Sequence, residues 1–302
     1  NNTLIANDYI EFNTASNGHY TIGTIGGNPN SSTDDNKKML FGHPGGGTSK
    51  TTIVVGESIN EFTSSNVTYD ADGSKSVSKA SYDGVDVTQE LSIIENSATG
   101  RDDVVKIKYI VKNDTEYAKQ VGIRIMMDTM LGGNDAAPFR VNGSDVTTET
   151  VYSGSNIPQI WQAFDSATNP GVVAQGTFYK SGDRKPDKVQ FTNWGNVTST
   201  LWDYVTQPGR SNGDSAVSIT WNKDTFTSGE TREFVTYYGL SELEQNLIPP
   251  LALSVYADNK VSISNFNYDD INANVYLDNI GDGDATDVSI KITADNLEPK
   301  YG

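Results

Sequence analysis

"VVKIKYIVKNDTEYAKQVGIRIMMD", residues 104–128, decides the fold class. Val105, Ile107, Tyr109 and Val111 share one face of the first run, and Lys106, Lys108 and Lys112 share the other. Val121, Ile123, Ile125 and Met127 repeat the pattern after "NDTEYAK". Alternation with period two means strands with one face buried and one wetted. The polar stretch between the runs predicts a turn, and the whole segment predicts an antiparallel hairpin.

The same period appears in "HYTIGTI", "TTIVVG", "GVDVTQELSII", "GVVAQGTFY", "DKVQFT", "SAVSITWN" and "REFVTYYGL". Clusters such as "GGNPNSSTDDN" and "HPGGG" supply turns between them. "SELEQNLI" is too short for more than one or two helical turns. The prediction is an all-β chain, a large antiparallel β-sandwich of supersandwich type. "IPP" at Ile248–Pro250 reads as a linker. The expected division is a large module over 1–248 and a partial or truncated Ig-like unit over 249–302, the latter alternatively being terminal strands docked on the first module.

Composition narrows function. The 302 residues carry a formal net charge of −17 with 39 Asp plus Glu, so nucleic acid and anionic membrane surfaces are disfavoured partners. There is no cysteine, which removes thiol catalysis and thiolate metal sites. No apolar run approaches the roughly 20 residues that span a bilayer. The chain begins at Asn1, which predicts a processed or excised protein.

His19 and His43 are the only histidines, so a three-histidine zinc site is excluded. His43, in "LFGHPGGG", reads as a surface loop residue or a lone acid–base group. No G-x-S-x-G, P-loop or dinucleotide fingerprint occurs. Glu90, Asp128, Glu149, Asp165 and Asp203 are candidates for the paired carboxylates of a glycosidase. Their alternative is a solvated role at turns and strand edges. "MMDTMLGGNDAAPFRVNG" offers Asp128, Asn134 and Asp135 as hard oxygen ligands for a structural Ca²⁺, without EF-hand spacing; the alternative is capping of a tight turn. No other cofactor is expected.

"FTNWGNVTSTLWDY" sets Trp194, Trp202 and Tyr204 among Asn, Thr, Ser and Asp. A flat aromatic face stacks on the C–H face of a sugar ring, and amides or charged groups nearby hold its hydroxyls. The candidate carbohydrate-binding set is Trp194, Trp202, Tyr204 and Trp161, with Asn193, Asp203, Lys188 and Arg210 as hydrogen-bonding partners. Local polarity favours display of Trp194 and Trp202; the alternative is that they cap one end of the sandwich. Trp161, beside Ile160, Ala163 and Phe164, leans toward burial, and Trp221 in "VSITWN" reads as core.

"VVKIKYIVKND", "GIRIMMDTMLGGNDAAPFRV", "IPQIWQAF", "KPDKVQFTNWG" and "GETREFVTYYGL" together resemble a module of large extracellular surface proteins of Gram-positive anaerobes, over roughly residues 8–248. The plan is also similar to the galactose-mutarotase-like supersandwich, and "NANVYLDNIGDGDATDVSIKI" resembles bacterial adhesion-type Ig-like repeats. The first resemblance implies a secreted or cell-surface location, other modules of a larger protein as partners, and, by analogy with starch-adherence systems, a neutral polysaccharide ligand. Mutarotase-like enzymes use histidines and a glutamate inside the sandwich, and the two early histidines here do not supply that set. The expected function is therefore non-catalytic binding of a starch-like α-glucan. A structural or adhesive spacer and a glycan-active enzyme of mutarotase or glycosidase type are the alternatives.

Overall fold

The computed structural model describes residues 2–97, 99–244, 251–257, 263–264, 267–268, 273–279, 284–286 and 288–290. In chain order the strands begin with β1 (Thr3–Ala6), β2 (Ile10–Thr14), β3 (Tyr20–Thr24), β4 (Lys50–Val55), β5 (Ser58–Glu61) and β6 (Val67–Tyr69). They continue with β7 (Lys75–Tyr82), β8 (Val85–Ile94), β9 (Val104–Asn113), β10 (Lys119–Asp128), β11 (Phe139–Val141) and β12 (Ser144–Val146). Then come β13 (Thr150–Ser153), β14 (Ile160–Phe164), β15 (Val173–Thr177), β16 (Lys188–Asn193), β17 (Ser215–Phe226) and β18 (Thr231–Leu240). A four-residue helix, α1 (Trp194–Val197), follows β16.

Two sheets carry the fold, one ordered β13-β16-β17-β10-β4-β5 and the other β12-β11-β14-β15-β18-β9-β8-β7-β6. Their pairings are antiparallel throughout. The expected all-β sandwich is what forms. Aromatic contacts bridge the layers: Trp221 on β17 meets Phe234 on β18 edge-on at 5.5 Å, and Trp161 on β14 meets Phe191 on β16 at 5.8 Å. The Tyr109 hydroxyl reaches Thr51 of the opposite sheet at 2.7 Å and accepts from Gln89 at 2.7 Å, so this buried polar atom is satisfied. A small β1-β2-β3 sheet adds Ile10, Phe12, Tyr20 and Ile22 to the same core.

The predicted 104–128 hairpin does not form. Strand β9 pairs with β8 and β18, whereas β10 pairs with β4 and β17 in the other sheet. The apolar faces of β9 and β10 are real, but both belong to one core cluster shared by the two layers. Asn113 anchors the corner, its amide donating to the carbonyls of Tyr117, Phe226 and Thr227 at 2.7, 3.0 and 3.1 Å. Alternation fixes which face a strand buries and leaves its neighbour undetermined.

Beyond the sandwich lie β19 (Glu242–Glu244), β20 (Leu251–Ala257), β21 (Ile263–Ser264), β22 (Asn267–Tyr268) and β23 (Ala273–Asn279). β19, β20 and β23 form one antiparallel sheet. Gln162 of β14 donates to Ser254 of β20 at 2.6 Å, which docks this sheet on the module. The expected linker at Ile248–Pro250 lies outside the described residues. Among the described residues, no helix is long and apolar enough to cross a membrane.

Candidate functional site

The segment following β16 was expected to display aromatics, and it folds as a strap over the outer face of the six-stranded sheet. Asn193 caps α1, its side chain accepting from the Asn196 N–H at 3.2 Å. Arg124, 1 % exposed on β10, lies beneath and donates to the carbonyls of Thr200, Trp202 and Val197 at 3.0, 3.3 and 3.4 Å. Burial lowers its pKa to about 10, opposed by the Asp203 carboxylate. Gln190 donates to the Tyr204 carbonyl at 3.0 Å and to Thr206 at 2.8 Å.

The strap brings seven of the predicted residues together, but with their aromatic faces turned inward. Trp202 is 9 % and Tyr204 7 % exposed. Trp194 is half-buried against Val197, Tyr204, Met126 and Ala216. Asp203 and Arg210 are exposed, and Lys188 is half-buried, its pKa lowered by burial with Asp203 opposing. Trp161 is 1 % exposed, stacked on Tyr238 at 5.3 Å and on Phe178 at 6.0 Å. Display is thus corrected to burial for Trp202 and Tyr204; the burial toward which Trp161 leaned is what forms, and it removes Trp161 from the candidate binding set. The polar neighbours that suggested display are spent on backbone: an irregular segment exposes many carbonyls and N–H groups that need partners.

Glu149 explains the inward turn of Tyr204. It accepts from Tyr204 Oη at 2.7 Å, the Gln207 N–H at 2.7 Å, and Thr192 and Asn196 side chains at 2.9 Å each. Burial pushes its pKa up, but those hydrogen bonds together outweigh it and hold the carboxyl below the usual range. Such a carboxylate is a brace. Asp165 is likewise occupied with the N–H groups of Gly171 and Val172, and Glu90 with Lys108 and Lys75.

The histidines are also internal fixtures. His43 is 5 % exposed rather than on the surface, between Thr21 Oγ1 at 3.1 Å and Glu11 Oε1 at 2.9 Å. Its ring lies so close to Gly23 that a Cβ there would stand 2.2 Å from it. His19 meets Glu61 at 3.0 Å.

Of the predicted metal set, Asp128 and Asp135 do come together, and Asn134 does not join them. Its amide donates to the Asp165 carbonyl and accepts from the Ala136 N–H, each at 2.9 Å, which is turn capping. Asp214 completes a three-carboxylate group, with one oxygen from each residue within 4.8 Å of the others.

An open aromatic site exists elsewhere. A cleft of about 670 Å³ lies between β13, the 154–159 turn and β23. Half-buried Tyr152, Tyr179 and Tyr276 line it. Tyr152 stands edge-on to Phe191 at 6.0 Å, which anchors the ring while leaving part of it in the cleft. Lys185 sits 5.3 Å over the Tyr179 ring. Gln159 accepts from Asn274 at 2.9 Å, fixing its amide beside Asn142 and Asn156. No carboxylate, imidazole, ammonium or guanidinium group is among the lining residues. Sequence reading missed these tyrosines; the available signal was Tyr152 in "TVYSGSNIPQ", an aromatic followed by a polar turn.

Solved structures similar to this chain include carbohydrate-related proteins. A polysaccharide lyase aligns at 10 % identity and a TM-score of 0.43 over 92 % of this chain; the chain spans 43 % of that protein. A galactose mutarotase-like protein from Lactobacillus casei aligns at 10 % identity and 0.46, over 80 % of this chain and 100 % of the other. A galactose mutarotase related enzyme from Lactobacillus acidophilus aligns at 8 % identity and 0.40, over 80 % and 97 %. No protein-family model and no curated protein matches the sequence.

Proposed function

We propose that this module binds a neutral polysaccharide, without catalysis, in the cleft of Tyr152, Tyr179 and Tyr276. The observation that carries this reading is the lining itself: three partly open phenol rings beside Asn, Gln and Ser side chains, with no carboxylate or imidazole between them. Rings supply faces for sugar C–H groups, and amides and hydroxyls match sugar hydroxyls as donors and acceptors. Hydrolysis by the usual pair of carboxyl groups needs acids that this lining lacks. The net charge of −17 disfavours anionic glycans and leaves neutral ones, starch-like α-glucan first.

Each aromatic contact contributes about 0.5–1.5 kcal/mol, by analogy with aromatic pairs. Three together supply at most about 4.5 kcal/mol, so the affinity of a single site is on the order of millimolar, with hydrogen bonds to the sugar hydroxyls offsetting ordering costs. Weak single sites suit a secreted or cell-surface protein in which further modules add avidity.

The test is affinity electrophoresis against a panel of soluble neutral glycans. Affinity read from retention should fall about two- to tenfold in Tyr152→Ala and in Tyr276→Ala, with little change in Tm. Retention lost nowhere, because no glycan binds, leaves the spacer role. Release of new reducing ends from oligosaccharides replaces the binding role with an enzymatic one.

A further inference from the structure

The three carboxylates of Asp128, Asp135 and Asp214 come from separate segments that the fold welds together. Asp128 ends β10, Asp135 lies in the following loop, and Asp214 precedes β17, the hydrogen-bonded neighbour of β10. The Ser215 N–H donates to the Asp135 carbonyl at 2.9 Å, and the Thr129 N–H to the Ser215 carbonyl at 3.0 Å. These bonds hold like charges together where repulsion would part them.

Clustered acids alone are common, but Asp128 is unusual. It is 3 % exposed, and its Oδ1 is sealed from solvent with no hydrogen-bond donor among the described residues; only Oδ2 is served, by the Thr48 hydroxyl. Asp135 Oδ1 is sealed and unserved in the same way. Lys38 exerts an attraction on Asp135, but no ion pair joins it to the three acids among the described residues. Buried, unpaired carboxylate oxygens are costly unless a cation meets them.

We propose that Asp128, Asp135 and Asp214 bind one Ca²⁺ that clamps the 129–137 loop to the start of β17. Ca²⁺ takes oxygen ligands at about 2.4 Å, so two ligands across the ion stand at most about 4.8 Å apart. The three oxygens fall within that span. Asp135 and Asp214 are half-buried, which leaves room for the waters and backbone oxygens of a six- to eight-fold shell. An all-oxygen set disfavours zinc and copper. The Trp194 N–H donates to the Asp214 carbonyl at 2.6 Å, so the ion also steadies the strap.

The test uses the full chain dialysed against a chelator, then titrated with CaCl₂ by calorimetry and followed by Tm. One ion per chain is expected, with Tm raised by about 5 °C at a hundredfold excess over Kd. Asp214→Asn and Asp135→Asn should remove the binding heat and the Ca²⁺-dependent part of Tm. Asp72→Asn, an exposed acid in the β6–β7 turn, should keep both. Absence of heat and of a Tm response in the parent protein overturns the proposal. So does an equal response in Asp214→Asn and Asp72→Asn, and an equal response to MgCl₂ overturns the choice of Ca²⁺.

Discussion

Trp202 lies against the backbone of Gly122: a Cβ built on Gly122 would stand 2.6 Å from Cη2 and 2.9 Å from Cζ2 of the indole. A glycine on β10, beneath the strap, makes the slot that the ring fills. Gly122→Ala should therefore lift the ring and cost about 1–3 kcal/mol. Denaturant unfolding of the two proteins measures it, and equal midpoints would show that the ring does not need the slot.

Burial also reverses what the sequence suggests about tryptophan substitution. Trp194→Ala with Trp202→Ala should lower stability by about 3–5 kcal/mol and leave glycan retention to whatever protein remains folded. Acrylamide quenching of the parent protein should be weak, since Trp161, Trp202 and Trp221 are sealed and Trp194 is half-buried. Strong quenching of most of the emission would contradict the inward strap.

Glu149 is a second support of the same segment. Glu149→Ala should cost about 3 kcal/mol by stranding several donors. Because the folded carboxyl is held below its ordinary 4.5, its contribution is present above that pH and is lost as pH falls through the depressed value. The stability gap between the parent and Glu149→Ala, measured by urea unfolding from pH 7 to pH 3, should narrow on the acid side.

Asp34 shows the opposite sign. It is 4 % exposed, accepts the Asn28 N–H at 2.9 Å, and burial pushes its pKa from 3.8 to about 6, with that hydrogen bond opposing. Between those values the folded chain holds a proton that the unfolded chain has released, so the contribution is full below about 3.8 and lost by about 6. Asp34→Asn should gain on the parent as pH rises through this window and hold a constant difference above it. A pH-independent difference would refute the shift.

Much of the strand inventory was legible because alternation is local. The runs at 104–112 and 119–128 bury the residues their pattern assigns to the core. The hairpin between them was not legible, since the pattern is equally satisfied by two strands side by side or by two strands facing each other across a core. Trp202 and Tyr204 were misread for a related reason. Asn193 looks like a partner for a ligand, yet the strap's own backbone uses it, together with Thr200 and Gln190.

The amino-acid order by itself determined an acidic, cysteine-free, all-β chain and the buried face of most of its strands. These depend on composition and on neighbours two residues apart. Only the tertiary structure decided that β9 and β10 belong to different layers, that Tyr152, Tyr179 and Tyr276 border one cleft, and that Asp214 rather than Asn134 meets Asp128 and Asp135. Each of these joins residues far apart in the chain, and such pairings are set by the packing of whole sheets rather than by local pattern.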